Sequence, residues 1–142
     1  MPINFFEEDI KFSLPNKIIT KSWIKSACFE EGNQVGNINI VFVSDRYLLE
    51  INKKYLNKSY FTDIITFNYN TNNIISGDIF ISIDTVRDNS ITYGSDFLME
   101  VRRMIIHGIL HLMGYNDKSS NDKIIMTEKE DHYLEFIYSE FQ

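Results

Sequence analysis

The amino-acid sequence predicts one α+β domain over residues 1–142, with three or four strands and about five helices. The length of 142 residues fits a single hydrophobic core. Segments with alternating apolar residues, typical of strands, are interspersed with segments whose apolar residues recur at helical spacing. The only prolines are Pro2 and Pro15, so the body of the chain contains no proline-rich linker between domains.

The first half of the chain predicts two strands and two helices. Gly32 follows a stretch of helical spacing and is a natural residue for ending a helix. Ser44 and Asp45 offer an N-cap to the next apolar stripe. The predicted elements are a strand at 3–6, a helix at 16–31, a strand at 37–43 and a helix at about 45–55.

The second half predicts two further strands and two long helices. Gly77 lies inside a strand pattern and indicates a bulge or a close backbone approach. Ser95 is the expected N-cap of the clearest helix, and Gly114 its expected end. The predicted elements are a strand at 63–69, a turn at 70–73, a strand at 74–83, a helix at about 95–113 and a helix at about 121–141.

Composition favours a protein of a reducing, cytoplasmic compartment. No apolar stretch approaches the roughly 20 residues that a membrane-spanning helix needs, and residues 1–10 are acidic and do not resemble a signal peptide. Cys28 is the only cysteine, so an intramolecular disulfide is excluded. These features predict a cytoplasmic protein that does not bind membranes.

The net charge of −6 argues against a strongly basic nucleic-acid binder. It still allows a nucleic-acid enzyme in which a metal ion and a few local cations bind the phosphate groups of the substrate. Taken singly, each such cation is more often part of a solvated helix face. The local cations are Lys53, Lys54, Arg102, Arg103 and Lys118, of which Lys53 and Lys54 are candidate substrate contacts.

The segment 107–117, HGILHLMGYND, has the spacing of a metal site. His107 and His111 are one helical turn apart, about 6 Å along the axis, and so project from the same face. Gly114 can adopt a left-handed conformation that reverses the chain. Asp117 can then return over the histidines as a third ligand.

Three protein ligands leave one coordination position open, which is typical of a catalytic zinc ion that activates water. A structural zinc ion would need a fourth ligand, often cysteine. Zinc is favoured, although nickel or another divalent ion suits two histidines and a carboxylate. His132 is the rival third ligand, as the one remaining histidine, and the other interpretation of His107 and His111 is a pair of hydrogen-bonded core residues.

Gly108 occupies the position of the general base in the His-Glu-x-x-His metallopeptidases. A glycine accepts no proton, so the sequence argues against a peptidase of that kind. A base from another part of the fold remains an alternative, and no side chain can be assigned as the general base.

Three stretches of the sequence resemble the YbeY endoribonuclease family. The family pattern His-Gly-x-Leu-His-Leu-x-Gly-Tyr-Asp-His is similar to residues 107–117. Its Asn-x-x-Tyr and Thr-Asp-Val-Leu-Ser-Phe segments are similar to residues 52–55 and 62–67, and its Gly-Asp-Ile strand to residues 77–82. The resemblance spans about residues 38–130 in the same order.

The resemblance implies a small mixed sheet of about four strands packed with about five helices, the metal helix being central. It also implies a zinc-dependent, single-strand-specific endoribonuclease acting in maturation of small-subunit (16S) ribosomal RNA and in ribosome quality control. Ribosomal RNA and small-subunit ribosomal proteins or assembly factors would be its partners. Asp63 and Asp78, in the matching strand segments, are candidates for orienting the metal-binding imidazoles; a cap or turn role is equally compatible.

Two departures from the family pattern matter. Asp117 replaces the third metal-binding histidine, and aspartate is itself an acceptable zinc ligand. Leu56 stands where the family tends to have an arginine that is thought to meet the substrate phosphate. Two other hypotheses therefore stay open: a metal-dependent hydrolase of another substrate, such as a peptide, and a ribosome assembly factor whose metal is structural.

Overall fold

The structure, a computed structural model, describes residues 2–60 and 62–140. This part of the chain forms four strands and five helices, so the predicted α+β fold is confirmed. None of these helices combines the length and the apolar character needed to cross a membrane. The elements are β1 (Ile3–Glu7), α1 (Lys17–Glu30), β2 (Gln34–Val43), α2 (Asp45–Leu56), β3 (Ile64–Asn68), β4 (Ile74–Ser82), α3 (Ile83–Tyr93), α4 (Phe97–Leu112) and α5 (Ser120–Glu140).

The four strands form one mixed sheet in the order β1-β2-β4-β3. β2 pairs in parallel with both β1 and β4: α1 carries the chain back from the end of β1 to the start of β2, and the antiparallel β3 carries it back to the start of β4. β3 and β4 form an antiparallel hairpin across the polar turn, with Ile64 opposite Ile81 and Asn68 opposite Gly77. β3 is therefore an edge strand whose beginning lies level with the end of β4.

The sheet has a large apolar face and a small one. On β4, Gly77 and Ile79 face α4, since a Cβ placed on Gly77 would meet Leu112 and one placed on Gly108 would meet Ile79. The alternating residue Phe80 packs instead in the small core beneath α2. That small core contains Val41, Val43, Leu48, Ile51 and Ile65.

α4 is the central helix because two glycines let it lie close to the sheet. A Cβ on Gly108 would stand 2.8 Å from Ile79 Cγ2 and 3.1 Å from Ile64 Cδ1. A Cβ on Gly77 would collide with the carbonyl oxygen of Phe67 and stand 2.9 Å from Leu112 Cδ2. Of the two roles expected for Gly77, the close approach is confirmed; the register shift lies elsewhere, between Val35 and Ile38 of β2.

Two expectations about helix boundaries need correction. The sequence pattern predicts no helix over residues 83–93, yet they form α3: the Ser82 side chain accepts a hydrogen bond from the Thr85 N–H and so ends β4. The N-cap of α4 is Asp96 and not Ser95, because the Asp96 carboxylate accepts the Met99 N–H at 3.0 Å. The predicted final helix is present, although its last expected residue, Phe141, lies outside the described residues.

Candidate metal centre

His107 and His111 lie one turn apart near the C-terminal end of α4, and their rings meet edge to face. The two Nε2 atoms are 3.0 Å apart and the ring centroids 4.5 Å apart. Both side chains are only partly exposed, at 16% and 23%. The helix therefore presents two imidazole nitrogens to the same point in space, as their spacing predicted.

The chain turns sharply after α4 and brings Asp117 back to the histidines. Gly114 has φ of +101°, in the left-handed region that glycine adopts without strain. Asn68 and Asn70 of the β3–β4 hairpin donate to the carbonyl oxygen of Leu112 at 3.2 and 2.6 Å, which satisfies a carbonyl group at the helix end. The helix terminus is thereby fixed to the sheet.

Asp117 Oδ2 lies 3.4 Å from His107 Nε2 and 3.7 Å from His111 Nε2. One ligand atom from each of the three side chains lies within 4.8 Å of the others. Zinc bonds of 2.0–2.2 Å in tetrahedral geometry place ligand atoms about 3.3 Å apart. The three separations are close to that value, so this donor set of two nitrogens and one oxygen fits a single zinc ion.

Glu130 of α5 fixes the orientation of His107. Its Oε2 lies 2.5 Å from His107 Nδ1. Because a carboxylate accepts, Nδ1 carries the hydrogen and the Nε2 lone pair points toward His111 and Asp117. Arg103 donates to the other oxygen of Glu130 at 2.9 Å, and its second terminal nitrogen donates to Asp131. A carboxylate behind an imidazole is the usual support of a metal-binding histidine.

The two imidazoles have opposite pKa shifts. Burial lowers the pKa of His107, but the hydrogen bond and charge of Glu130, with the charges of Asp117 and Asp63, outweigh it and leave the pKa raised. Burial and the neighbouring His107 lower the pKa of His111; the charge of Asp117 and a hydrogen bond to the Tyr115 backbone offset this only in part. One ring of the pair thus favours the neutral form that a metal ion requires.

A second cluster, centred on Glu31, holds the loop that carries Asp117. Tyr115 donates to Glu31 Oε1 at 2.5 Å, and Lys129 lies 3.0 Å from Oε2, which also accepts from Tyr133. The Glu31 side chain is 12% exposed. Burial raises its pKa, but the hydrogen bonds from the two tyrosines and Lys129 outweigh that and lower it. The cluster joins the end of α1 and helix α5 to the loop between α4 and α5.

Of the two aspartates expected to orient the imidazoles, only Asp63 lies near them. Its charge contributes to the raised pKa of His107. Asp78 projects from the sheet face opposite α4, and its Oδ1 accepts a hydrogen bond from Asn39 at 3.0 Å. The structure thereby corrects the expectation for Asp78, whose side chain alternates with those of Gly77 and Ile79.

The remaining candidates lie away from the three ligand atoms. His132 is exposed and its Nε2 lies 2.8 Å from Glu30 Oε1, so the side chain of the rival third ligand is engaged in a surface contact. Lys53 and Lys54 are exposed in the last turn of α2, with Lys53 at 3.9 Å from Glu50.

Glu130 was not predicted from the sequence, although a signal for it exists. On α5 it occupies the buried stripe formed by Met126, Tyr133, Leu134 and Ile137, where an apolar residue is the rule. A carboxylate in such a stripe requires a partner inside the fold. Here the partners are His107 and Arg103.

Comparison with known proteins identifies the family to which this chain is similar. The family model described as Endoribonuclease YbeY matches residues 3–138, nearly the whole chain. The chain belongs to the YbeY family. Its fold is also found in a solution structure of a Thermotoga maritima protein, with a TM-score of 0.69 over 98% of this chain and 91% of that one, at 24% sequence identity.

Several relatives with the name Endoribonuclease YbeY are similar over their whole length. The Parabacteroides distasonis protein is 45% identical over 140 residues, which cover 99% of each chain. The Karelsulcia muelleri protein is 42% identical and covers 98% of each chain. The Bacteroides thetaiotaomicron protein is 42% identical over 94% of this chain and 98% of its own. At position 117 this chain has an aspartate, where the YbeY family pattern given above has a histidine.

Proposed function

We propose that this protein is a zinc-dependent endoribonuclease whose metal ion is held by His107, His111 and Asp117. The observation that carries the proposal is the convergence of three ligand atoms within 4.8 Å in a chain of the YbeY family. Three protein ligands leave one position open, which suits catalysis better than a structural role.

When bound, the ion supplies Lewis acidity, which polarises a phosphate oxygen and makes water more acidic. Side chains of this protein form the binding site for the ion. Glu130 accepts the hydrogen of His107 Nδ1, so the lone pair of Nε2 remains available to bind the ion. Asp117 would lower the net charge of the loaded site, so a water held there would be less acidic than beside three neutral imidazoles. Asp63 adds negative charge on the same side and remains a candidate for orienting the metal-binding imidazoles.

We further propose single-stranded regions of small-subunit ribosomal RNA as the substrate, with roles in 16S maturation and ribosome quality control. Small-subunit ribosomal proteins or assembly factors would be partners, and the cytoplasm the compartment. Residues 1–142 would act as one domain. The support is the family membership together with the resemblance of residues 107–117 to the family pattern.

The test is cleavage of a labelled unpaired RNA and of the matching duplex by zinc-loaded wild type and His111→Ala. The proposal expects wild type to cut the unpaired RNA, to lose activity in a chelator and to regain it with zinc, while His111→Ala stays inactive. Cleavage that persists unchanged in His111→Ala would refute the metal-dependent mechanism.

Each of the two rival functions has a test of its own beside the RNA-cleavage assay. Gly108 is buried against Ile79 and carries no base, which argues against a peptidase of the His-Glu-x-x-His kind. Hydrolysis of a peptide library without cleavage of RNA would nevertheless establish that rival. Binding to pre-ribosomal particles without cleavage at any metal loading would establish an assembly factor.

A further inference from the structure

The end of α2 and the segment that joins it to β3 are basic and aromatic in an acidic chain. Residues 51–62 contain three lysines and two tyrosines but no aspartate or glutamate, whereas the whole chain has a net charge of −6. Glu50, just before this segment, lies 3.9 Å from Lys53, which leaves Lys54 and Lys58 as its other two cations. This local charge is opposite to that of the protein and complementary to phosphate.

Two lysine–tyrosine pairs repeat along this segment. Lys54 Nζ lies 5.2 Å from the ring centroid of Tyr55, and Lys58 Nζ lies 5.9 Å from that of Tyr60. Tyr55 is 62% exposed and Tyr60 56% exposed. Each pair offers a ring on which a base can stack and a cation for the adjoining phosphate, the combination found in proteins that bind single-stranded nucleic acid.

Contacts with the body of the protein hold the Tyr55 ring and the backbone at Lys58 and Tyr60 in place. The Tyr55 ring packs edge-to-face against Phe67 of β3 with centroids 6.0 Å apart. The buried Asn52 donates to the Tyr60 carbonyl oxygen at 2.9 Å, and its own carbonyl oxygen accepts the Lys58 N–H at 3.0 Å. A ring or a backbone segment that is already positioned loses less conformational entropy when a ligand binds.

The same segment leads directly to the metal centre. Asp63 follows Tyr60 by three residues and raises the pKa of His107 through its charge. Ile64 reaches α4 beside His107, since its Cδ1 would stand 3.1 Å from a Cβ on Gly108. The segment is therefore followed directly by the start of β3, which packs against α4 next to His107.

We infer that Tyr55 and Tyr60, with Lys54 and Lys58, form a stacking surface for unpaired bases of the RNA substrate. The inference rests on the proposed function and deepens it, because it names the feature of RNA that is recognised. Bases within a duplex have both faces covered by their neighbours, so stacking on tyrosine selects single strands. Leu56, the aliphatic residue at the position of the family's arginine, lies between the two pairs.

The experiment measures binding of a short fluorescent unpaired RNA by anisotropy in a chelator, so that no cleavage occurs. Tyr60→Leu removes the ring, Tyr60→Phe keeps it, and Tyr93→Leu is the matched control at an exposed tyrosine of α3. We expect about tenfold weaker binding for Tyr60→Leu and nearly unchanged binding for the other two. Lys58→Gln should flatten the dependence of log K on log salt by about 0.7.

Equal affinity of Tyr60→Leu and wild type would overturn the inference, as would an equal loss in Tyr60→Phe, which would assign binding to the hydroxyl group. The failure of the inference differs from that of the proposed function. If wild type cuts RNA but Tyr60→Leu binds and cuts as well as wild type, the nuclease function is supported and the stacking surface is refuted. If wild type neither binds nor cuts RNA, both are refuted.

Discussion

Glu130 on α5 contacts His107 on α4 through Oε2 and Nδ1, which lie 2.5 Å apart. The carboxylate is itself held by Arg103 at 2.9 Å and is only 9% exposed. Because this contact selects the tautomer with a free Nε2, we expect Glu130→Gln to weaken zinc binding by roughly 10- to 100-fold. Competition with a chromophoric chelator measures the change.

The control for this prediction is Asp131→Asn. Asp131 also pairs with Arg103 at 2.9 Å, but it is 59% exposed, and among the described contacts it forms none with the histidines. Its variant should bind zinc like wild type. Equal zinc affinity of Glu130→Gln and wild type would show that Glu130 does not orient the ligand.

Glu31 should make the free energy of unfolding depend on pH. Its pKa is lowered in the folded state, so its contribution is present above the unfolded value of about 4.5 and is lost as pH falls through the folded pKa. Glu31→Gln removes the charge that Tyr115, Tyr133 and Lys129 stabilise. We expect a loss of about 2 kcal/mol at neutral pH, measured by urea unfolding.

Unfolding of the same variant at acidic pH tests whether the charge of Glu31 is responsible. Below the folded pKa of Glu31 the carboxyl of the wild type is neutral, so the difference between wild type and Glu31→Gln should shrink. A difference that stayed constant from neutral pH to about pH 3 would mean that the charge of Glu31 does not stabilise the loop.

Cys28 should be chemically inert in the native protein. It is fully buried in the core, and burial, with the charge of Glu31, raises the pKa of its thiol to about 12. The thiolate is the reactive form, and it is scarce at neutral pH. We expect Ellman's reagent to label the single cysteine in urea but not in buffer. Rapid labelling in buffer would indicate that the region between α1 and the sheet opens readily.

Most elements of the fold follow from local sequence, because alternation and helical spacing reflect which face is buried. The exception is α3, whose residues 83–93 are largely polar and β-branched. Its caps, Ser82 and Gly94, are visible in the sequence, but no apolar stripe marks the helix between them. Its packing in the tertiary structure, with Ile83 and Val86 buried, stabilises it instead.

The candidate site was predictable only where its residues are close in sequence. The pair His107 and His111 shares one helix face, and Gly114 explains the return of Asp117. Glu130 and Glu31 come from other elements, so their proximity depends on tertiary packing. Asp78 was misassigned because the sequence does not reveal which face of the sheet packs against α4.

The most direct test of the central claim is a zinc titration of wild type, Asp117→Ala and His132→Ala by calorimetry. We expect about one zinc ion per chain for wild type and for His132→Ala, and an affinity at least tenfold lower for Asp117→Ala. Unchanged zinc binding by Asp117→Ala, with a loss in His132→Ala, would contradict the three-ligand site described here.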